Sequence, residues 1–318
     1  MTPDQIEAAA ARLKGHARLT PLLNAPLLDA AFGKRIFVKA ECLQLTGSFK
    51  FRGAWSAVSA LPAGTKGVLA YSSGNHGQGV ALAAARHGLA CVIVMPSDAP
   101  AVKVENTRAY GAEVVLYDRA TEDRDAIGAA LCADRGLHLI KPFDDADVIA
   151  GQGSCGLEIA DQARAEGVTE ADVLVCCGGG GLSAGIALAL EARAPRLRVR
   201  TCEPEGFDDM ARSLSSGRRQ TNPRATGSVC DAILTPAPGL LTLPILSRLA
   251  GPGLVVSDAE ACRAMALAFS HLRIVLEPGG AVALAAAVFR DTSPTVICTA
   301  SGGNVDPAFF ARTLADHA

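Results

Sequence analysis

The chain reads as an α/β protein built on open, parallel-rich sheets flanked by helices. Three observations predict this. Short β-branched runs alternate with alanine-rich helical stretches along most of the 318 residues. The runs are apolar throughout rather than alternating, as strands covered on both faces are. Composition agrees, with 49% hydrophobic and only 19% charged residues, which is far from a disordered chain.

Taken in order, MTPDQIEAAAARLKG has the spacing of an amphipathic helix and not the basic-then-apolar order of a signal peptide. Strands are expected over RIFVKA (35–40), GVLAYS (67–72), ACVIVM around Cys91, EVVLY (113–117), DVLVCC (172–177), LRVRTC (197–202) and TVICTA (295–300). Helices are expected over 75–87, 101–110, 120–135, 182–193 and 278–290, and FFARTLADHA reads as a closing helix. The least regular part is 203–253, rich in Gly, Pro, Ser and Arg; such a stretch inside a compact protein is more often functional or a subunit contact than idle linker.

The length admits two domains. A net charge of −2 with balanced signs argues against nucleic acid or an anionic membrane as the main partner. No run of 18 apolar residues is present, so no transmembrane helix is expected. The ten cysteines are scattered and form no C-x-x-C, which reads as buried, reduced thiols in a cytoplasmic protein.

Three glycine-rich turns each follow an expected strand, and in an open parallel sheet the carboxyl ends of strands share one crevice. CCGGGGLSAG opens a helix, and its successive glycines suit backbone N–H groups closing around a phosphate. The same stretch satisfies G-x-G-x-x-A through Gly179, Gly181 and Ala184, with Glu203 where a dinucleotide fold places its ribose acid, so a nicotinamide-dependent oxidoreductase is an alternative. YSSGNHGQG places Ser72, Ser73, Gly74, Asn75 and His76 at a helix N-terminus, a turn suited to a carboxylate or a ring oxygen; ordinary N-capping accounts for one of these residues but not five. TASGGNVD ends the last strand at Ser301.

GSFKFRGA sets Lys50 between Phe49 and Phe51, with Trp55 beyond, in a chain that is only 4% aromatic. A solvated surface lysine is the plain reading. Burial among rings would instead disfavour the ammonium form and leave an amine able to attack a carbonyl. With three polar turns converging beside it, the second reading is preferred.

GSFKFRGA, SSGNHGQG, AGQGS with a following Glu158, GGGGL, EPEG, LEPGGAV and SGGNVD occur in this order over about residues 17–310. Together they resemble the serine/threonine dehydratase family of fold-type II pyridoxal-phosphate enzymes, which includes serine racemases. The resemblance implies a tryptophan synthase β-like fold, with a large domain from 1–66 and 144–318 and a small mobile domain from 67–143. It implies a homodimer. It also implies that Lys50 forms a Schiff base with the cofactor aldehyde and that Phe49 packs on the ring. Asn75 would meet the ring hydroxyl, Gly178, Gly179, Gly180, Gly181 and Leu182 the phosphate, and Ser301 the ring nitrogen. Glu277 would stand nearby as an acid. Ser72, Ser73, Gly74, Asn75 and His76 would receive the substrate carboxylate, with Gln152 as a further contact. Ser73 also occupies the position of the opposite-face acid/base of racemases.

The implied activity is β-elimination of a 3-hydroxy amino acid such as L-serine, L-threonine or a 3-hydroxyaspartate, giving a 2-oxo acid and ammonia; racemisation is the near alternative. A hydroxyl at the ring nitrogen, unlike an aspartate, does not hold it protonated, which favours elimination over a long-lived carbanion. Glu203, the carbonyl of Phe207 and Asp209 resemble the divalent-cation site of the racemase-like branch, and an all-oxygen set suits Mg²⁺ or Ca²⁺. An ordinary acidic turn is the alternative. Arg212, Arg218 and Arg219 flank SLSSG and read as solvated charge rather than as a site for an acidic side chain.

Overall fold

A computed structural model describes residues 1–72, 74–99, 101–118 and 120–317 of the chain. The chain opens with α1 (Pro3–Leu13), β1 (Leu22–Asn24), α2 (Pro26–Phe32) and β2 (Arg35–Lys39), then two short 3₁₀ turns lead into α3 (Lys50–Ser59). A run of β/α units follows: β3 (Gly67–Tyr71), α4 (Asn75–Arg86), β4 (Ala90–Pro96), α5 (Ala101–Ala109), β5 (Glu113–Tyr117), α6 (Arg124–Arg135) and β6 (His138–Leu139). The long α7 (Ala146–Ala165) leads to β7 (Ala171–Cys176), α8 (Gly181–Arg193), β8 (Leu197–Pro204) and α9 (Asp209–Ser216). Beyond these lie α10 (Thr242–Leu249), β9 (Leu254–Val256), α11 (Asp258–Leu267), α12 (Pro278–Phe289), β10 (Thr295–Thr299) and α13 (Pro307–His317).

The strands form two sheets. One has six strands in the order β1-β2-β10-β7-β8-β9, parallel except for β1, which runs antiparallel to β2. The other has four parallel strands in the order β5-β4-β3-β6. Strand side chains alternate between two cores, as the period of two requires. Ile36, Val38, Leu174, Cys176 and Val296 face α11 and α12, while Phe37, Val173, Val175 and Ile297 face α7 and α8. In the smaller sheet Val68, Ala70, Ile93 and Met95 take one side and Leu69, Val92 and Val94 the other. This is why the strands read as continuously apolar: both faces are covered.

The smaller sheet's core also takes Phe51, Ala54, Trp55 and Val58 of α3 and Val148 of α7. Thus α3 stands at the junction of the two sheets with Lys50 at its first turn. Glycines set how closely its neighbours approach. A Cβ on Gly151 of α7 would lie 2.5 Å from the Arg52 carbonyl, and one on Gly185 of α8 would lie 2.5 Å from the Ile149 carbonyl. Helices packed this tightly have no room for a side chain at those positions.

All ten cysteines are free thiols. Among the described residues, no helix is long and apolar enough to cross a membrane.

Candidate active site

The ends of β3, β7 and β10 open into the three glycine-rich turns, and the turns meet around Lys50. Phe49 N–H donates to the Ser301 carbonyl (3.1 Å), and Ser48 bridges to Gly302, so the start of α3 is docked on the turn that follows the last strand. Lys50 Nζ donates to the Pro142 carbonyl (2.8 Å) and lies 5.3 Å from the centroid of the Phe49 ring. Burial lowers its pKa to about 8, against the opposing charge of Glu277. Around it is a small cavity of about 40 Å³, lined also by Asn75, Phe143, Glu277 and Ser301 and by the tetraglycine turn with Leu182.

The tetraglycine turn is held in one shape from outside. The Gly179 carbonyl accepts from Thr242 Oγ1 (2.6 Å) and from Gly239 N–H (3.1 Å). Gly180 has φ 92°, and a Cβ there would sit 2.7 Å from Met210 Cε. A side chain on Gly179 would overlap the Phe143 ring. What remains toward the cavity is backbone N–H at the N-terminus of a 13-residue helix, where four amides have no intrahelical acceptor and the helix dipole favours an anion.

The SSGN turn supplies the second anion-receptive edge. Gly74 N–H donates to Ser72 Oγ (3.1 Å), and the N-terminal amides of α4 follow. Asn75 Nδ2 donates to Glu277 Oε1 (2.6 Å). Burial raises the Glu277 carboxyl to about pH 7, although Lys103, the Asn75 bond and Lys50 favour its ionised form and Asp231 its neutral one. Its Oε2 is buried without a partner. His76 Nε2 faces the Ile140 carbonyl at 3.0 Å, which makes it the donor and leaves Nδ1 a bare acceptor. Burial, then the Lys50 charge, drops its pKa to about 3, so His76 is neutral and is no general acid.

Other predicted residues lie elsewhere. Ser73 falls outside the described residues. Gln152 does not line the cavity; its amide packs against Gly53 of α3. Glu203 accepts from Met210 N–H (2.8 Å) and Ala211 N–H (2.7 Å), capping α9. Asp209 Oδ1 accepts from Asn222 Nδ2 (2.6 Å) while its Oδ2 is buried and unpartnered. Burial raises both carboxyls, Glu203 far above its ordinary range and Asp209 to about 6. Phe207, between them, is fully buried. Arg212 bonds the Thr221 carbonyl and the Asn222 side chain, and Arg219 the Pro238 carbonyl, so both tie down the irregular segment.

Sequence reasoning missed several lining residues. Phe143, Ile233 and Thr235 come from loops without a pattern of their own, and Thr235 Oγ1 is buried in the cavity wall without a partner. A wider cavity of about 320 Å³ continues outward past Ser72, Asn75 and His76 to Lys103, Arg124 and Lys141. Its two carboxylates are engaged: Asp231 with Lys103 Nζ (2.9 Å) and Asp144 with Leu241 N–H (2.8 Å).

Residues 13–302 match the family described as pyridoxal-phosphate dependent enzyme. The chain belongs to this family. Within it, the chain is 42% identical to an L-threo-3-hydroxyaspartate ammonia-lyase from Pseudomonas sp over 96% of each chain. It is 38% identical to a serine racemase from Oryza sativa subsp. indica, over 97% of this chain and 92% of that one. A solved structure of a T.th. threonine deaminase superposes with a TM-score of 0.92 at 44% identity, covering 96% of this chain and 99% of the other. This is the fold-type II branch containing serine/threonine dehydratases and serine racemases.

The nicotinamide alternative therefore falls; Glu203, which it would use as the ribose acid, has both oxygens taken by the Met210 and Ala211 N–H groups and does not line the cavity. The cavity suits pyridoxal phosphate on its own evidence. It offers a desolvated amine, a side-chain-free N–H cradle, and the unpartnered polar atoms Glu277 Oε2 and Thr235 Oγ1.

Proposed function

We propose that the chain is an ammonia-lyase for a dicarboxylic 3-hydroxy amino acid of the 3-hydroxyaspartate type, with L-serine and L-threonine as poorer substrates. The net reaction removes the β-hydroxyl and the α-amine to leave a 2-oxo acid and ammonia; from 3-hydroxyaspartate the product is oxaloacetate. One observation carries the substrate choice. The amide end of α4 and the cations Arg124 and Lys141, beside Lys103 in its ion pair with Asp231, stand in one cavity, so two carboxylates can be held at once. Two relatives at 42% and 38% identity are L-threo-3-hydroxyaspartate ammonia-lyases, which supports this reading.

Pyridoxal phosphate, when bound, supplies an electron sink for the substrate α-carbon. Lys50, Phe49, Asn75, Ser301 and the amides of Gly178–Leu182 are the residues that would hold it. Lys50 Nζ is the base for the Cα proton. An amine with a pKa of about 8 is neutral in roughly a tenth of molecules at pH 7, against fewer than one in a thousand for an ordinary lysine. Ser72 and the first amides of α4 orient the α-carboxylate. Lys50→Ala is expected to lower turnover by roughly 10²–10⁴-fold and to abolish the visible absorption band of the holoenzyme.

Ammonia and oxaloacetate release from L-threo-3-hydroxyaspartate, compared with L-serine and L-threonine, tests the substrate. A tenfold preference for serine over the dicarboxylic substrate would overturn it. Serine racemisation is the second reading, favoured by the 38% identity to serine racemases, and chiral analysis of recovered substrate separates the two.

We also propose a divalent-cation site at Asp209, Glu203 and the Phe207 carbonyl. The unpartnered Oδ2 of Asp209, buried beside a second carboxylate, supports it. Chelation by EDTA is expected to lower the Tm by several degrees and Mg²⁺ or Ca²⁺ to restore it; an unchanged melting curve would dismiss the site.

A further inference from the structure

The amide of Asn75 could turn either way, and only one way serves the cavity. Its orientation is set from a backbone atom two links away. Asn304 donates from Nδ2 to the Thr46 carbonyl (2.8 Å), which identifies that atom as nitrogen because a carbonyl oxygen cannot face another. The same Nδ2 donates to Asn75 Oδ1 (2.7 Å), so Asn75 must present its oxygen there. Asn75 Nδ2 is thereby turned to Glu277 (2.6 Å) with its second N–H left over for the cavity.

The chain bends to make this possible. Thr46 has φ 61°, a left-handed conformation that is strained for a β-branched residue. It aims the Thr46 carbonyl at Asn304. Gly47 follows, also left-handed, and a Cβ there would come within 2.5 Å of Asn304 Oδ1. Gly303 N–H closes the turn onto the Gly47 carbonyl (2.9 Å), and a side chain on Gly302 would collide with the Glu277 carboxylate. A strained residue and two close-packed glycines converge on one pair of side chains.

We propose that Asn304, held by the Thr46 carbonyl, is a positioning residue that locks the Asn75 amide with its nitrogen toward Glu277 and the cofactor. It rests on family membership and on the role proposed for Asn75, not on the choice of substrate. Asn304→Asp keeps the shape but removes both donated hydrogens. The carboxylate repels the Thr46 carbonyl and draws the Asn75 nitrogen toward itself, leaving the Asn75 oxygen against Glu277.

The test titrates apoprotein with pyridoxal phosphate and reads the dissociation constant, with the apoprotein melting temperature alongside. Asn304→Asp is expected to raise the constant about tenfold or more and Asn304→Ala severalfold, with the melting temperature little changed. In an Asn75→Ala background the Asn304→Ala loss should vanish, because the residue acts only through Asn75. If Asn304→Asp does not fold, the alanine cycle alone decides. An Asn304→Ala apoprotein that binds within twofold of wild type would overturn the proposal, as would a loss that persists in full without Asn75. No substrate is used, so failure of the lyase assay leaves this result standing. A wild-type apoprotein that takes up no pyridoxal phosphate would overturn the cofactor site and this inference together.

Discussion

Glu277 shows how one buried carboxyl sets a pH dependence. Desolvation raises it to about 7 from an ordinary 4.5, so between those values the folded chain holds a proton that the unfolded chain releases. Stability therefore falls as pH rises through that window, and the full penalty, on the order of 3 kcal/mol, is present above pH 7. Glu277→Gln keeps an oxygen for Asn75 and removes the titration. The Glu277→Gln apoprotein should melt several degrees above wild type at pH 8 and at nearly the same temperature at pH 4.5. Thermal melts of the cofactor-free protein at both pH values check this, and an equal gain at both would assign the effect to packing instead of charge.

At the scale of elements, the tetraglycine turn and α8 act as one device, and Gly180 is the position where backbone conformation and crowding coincide. Gly180→Ala is expected to cost about 1–3 kcal/mol of stability and to weaken pyridoxal-phosphate binding at least tenfold. Gly88→Ala shares the positive φ but has nothing within 4 Å, so it should cost about 1 kcal/mol and leave cofactor binding alone. Calorimetric titration of both variants separates cradle shape from general strain. This turn was legible in the sequence because repeated glycine after an apolar run marks backbone kept bare for a close approach, and the apolar strands were legible because burial on both faces leaves an unbroken run. Strands β1, β6 and β9 were not, since two or three residues carry no period. Nor was the packing of Gln152: the glycines of α7 signal close approach but not which neighbour approaches. The outer cations escaped notice for a similar reason. Lys103, Arg124 and Lys141 lie on three segments that only the four-stranded sheet brings together, while Arg212, Arg218 and Arg219 cluster in the sequence but line neither cavity.

Over the whole molecule, the helix that carries Lys50 is fastened by a buried ion network. Arg52, 1% exposed, donates to Glu41 (2.7 and 2.8 Å) and to Glu158 (2.7 and 2.8 Å), and Lys39 Nζ joins Glu158 (2.6 Å) and the Thr20 carbonyl (2.7 Å). Burial alone would push Glu41 up, but the Arg52 guanidinium, the Lys39 charge and the Thr20 hydroxyl together more than offset this, and its carboxyl titrates below the ordinary value. The network joins the N-terminal loop, the six-stranded sheet, α3 and α7, so it fixes where the first turn of α3 stands between the two sheets. Charges so deeply buried contribute little net stability as a set, but removing one partner strands the others without water. Arg52→Ala should therefore cost about 3–5 kcal/mol, lowering the Tm by on the order of 10 °C. Replacing the whole set with apolar residues of matching volume (Lys39→Met, Arg52→Met, Glu41→Leu and Glu158→Leu together) should recover much of that loss, because no buried charge is then left alone. Chemical denaturation of wild type, single and quadruple variants decides the matter: a quadruple variant less stable than Arg52→Ala would mean that the ion pairs themselves, rather than the avoidance of a lone buried charge, hold α3 in place.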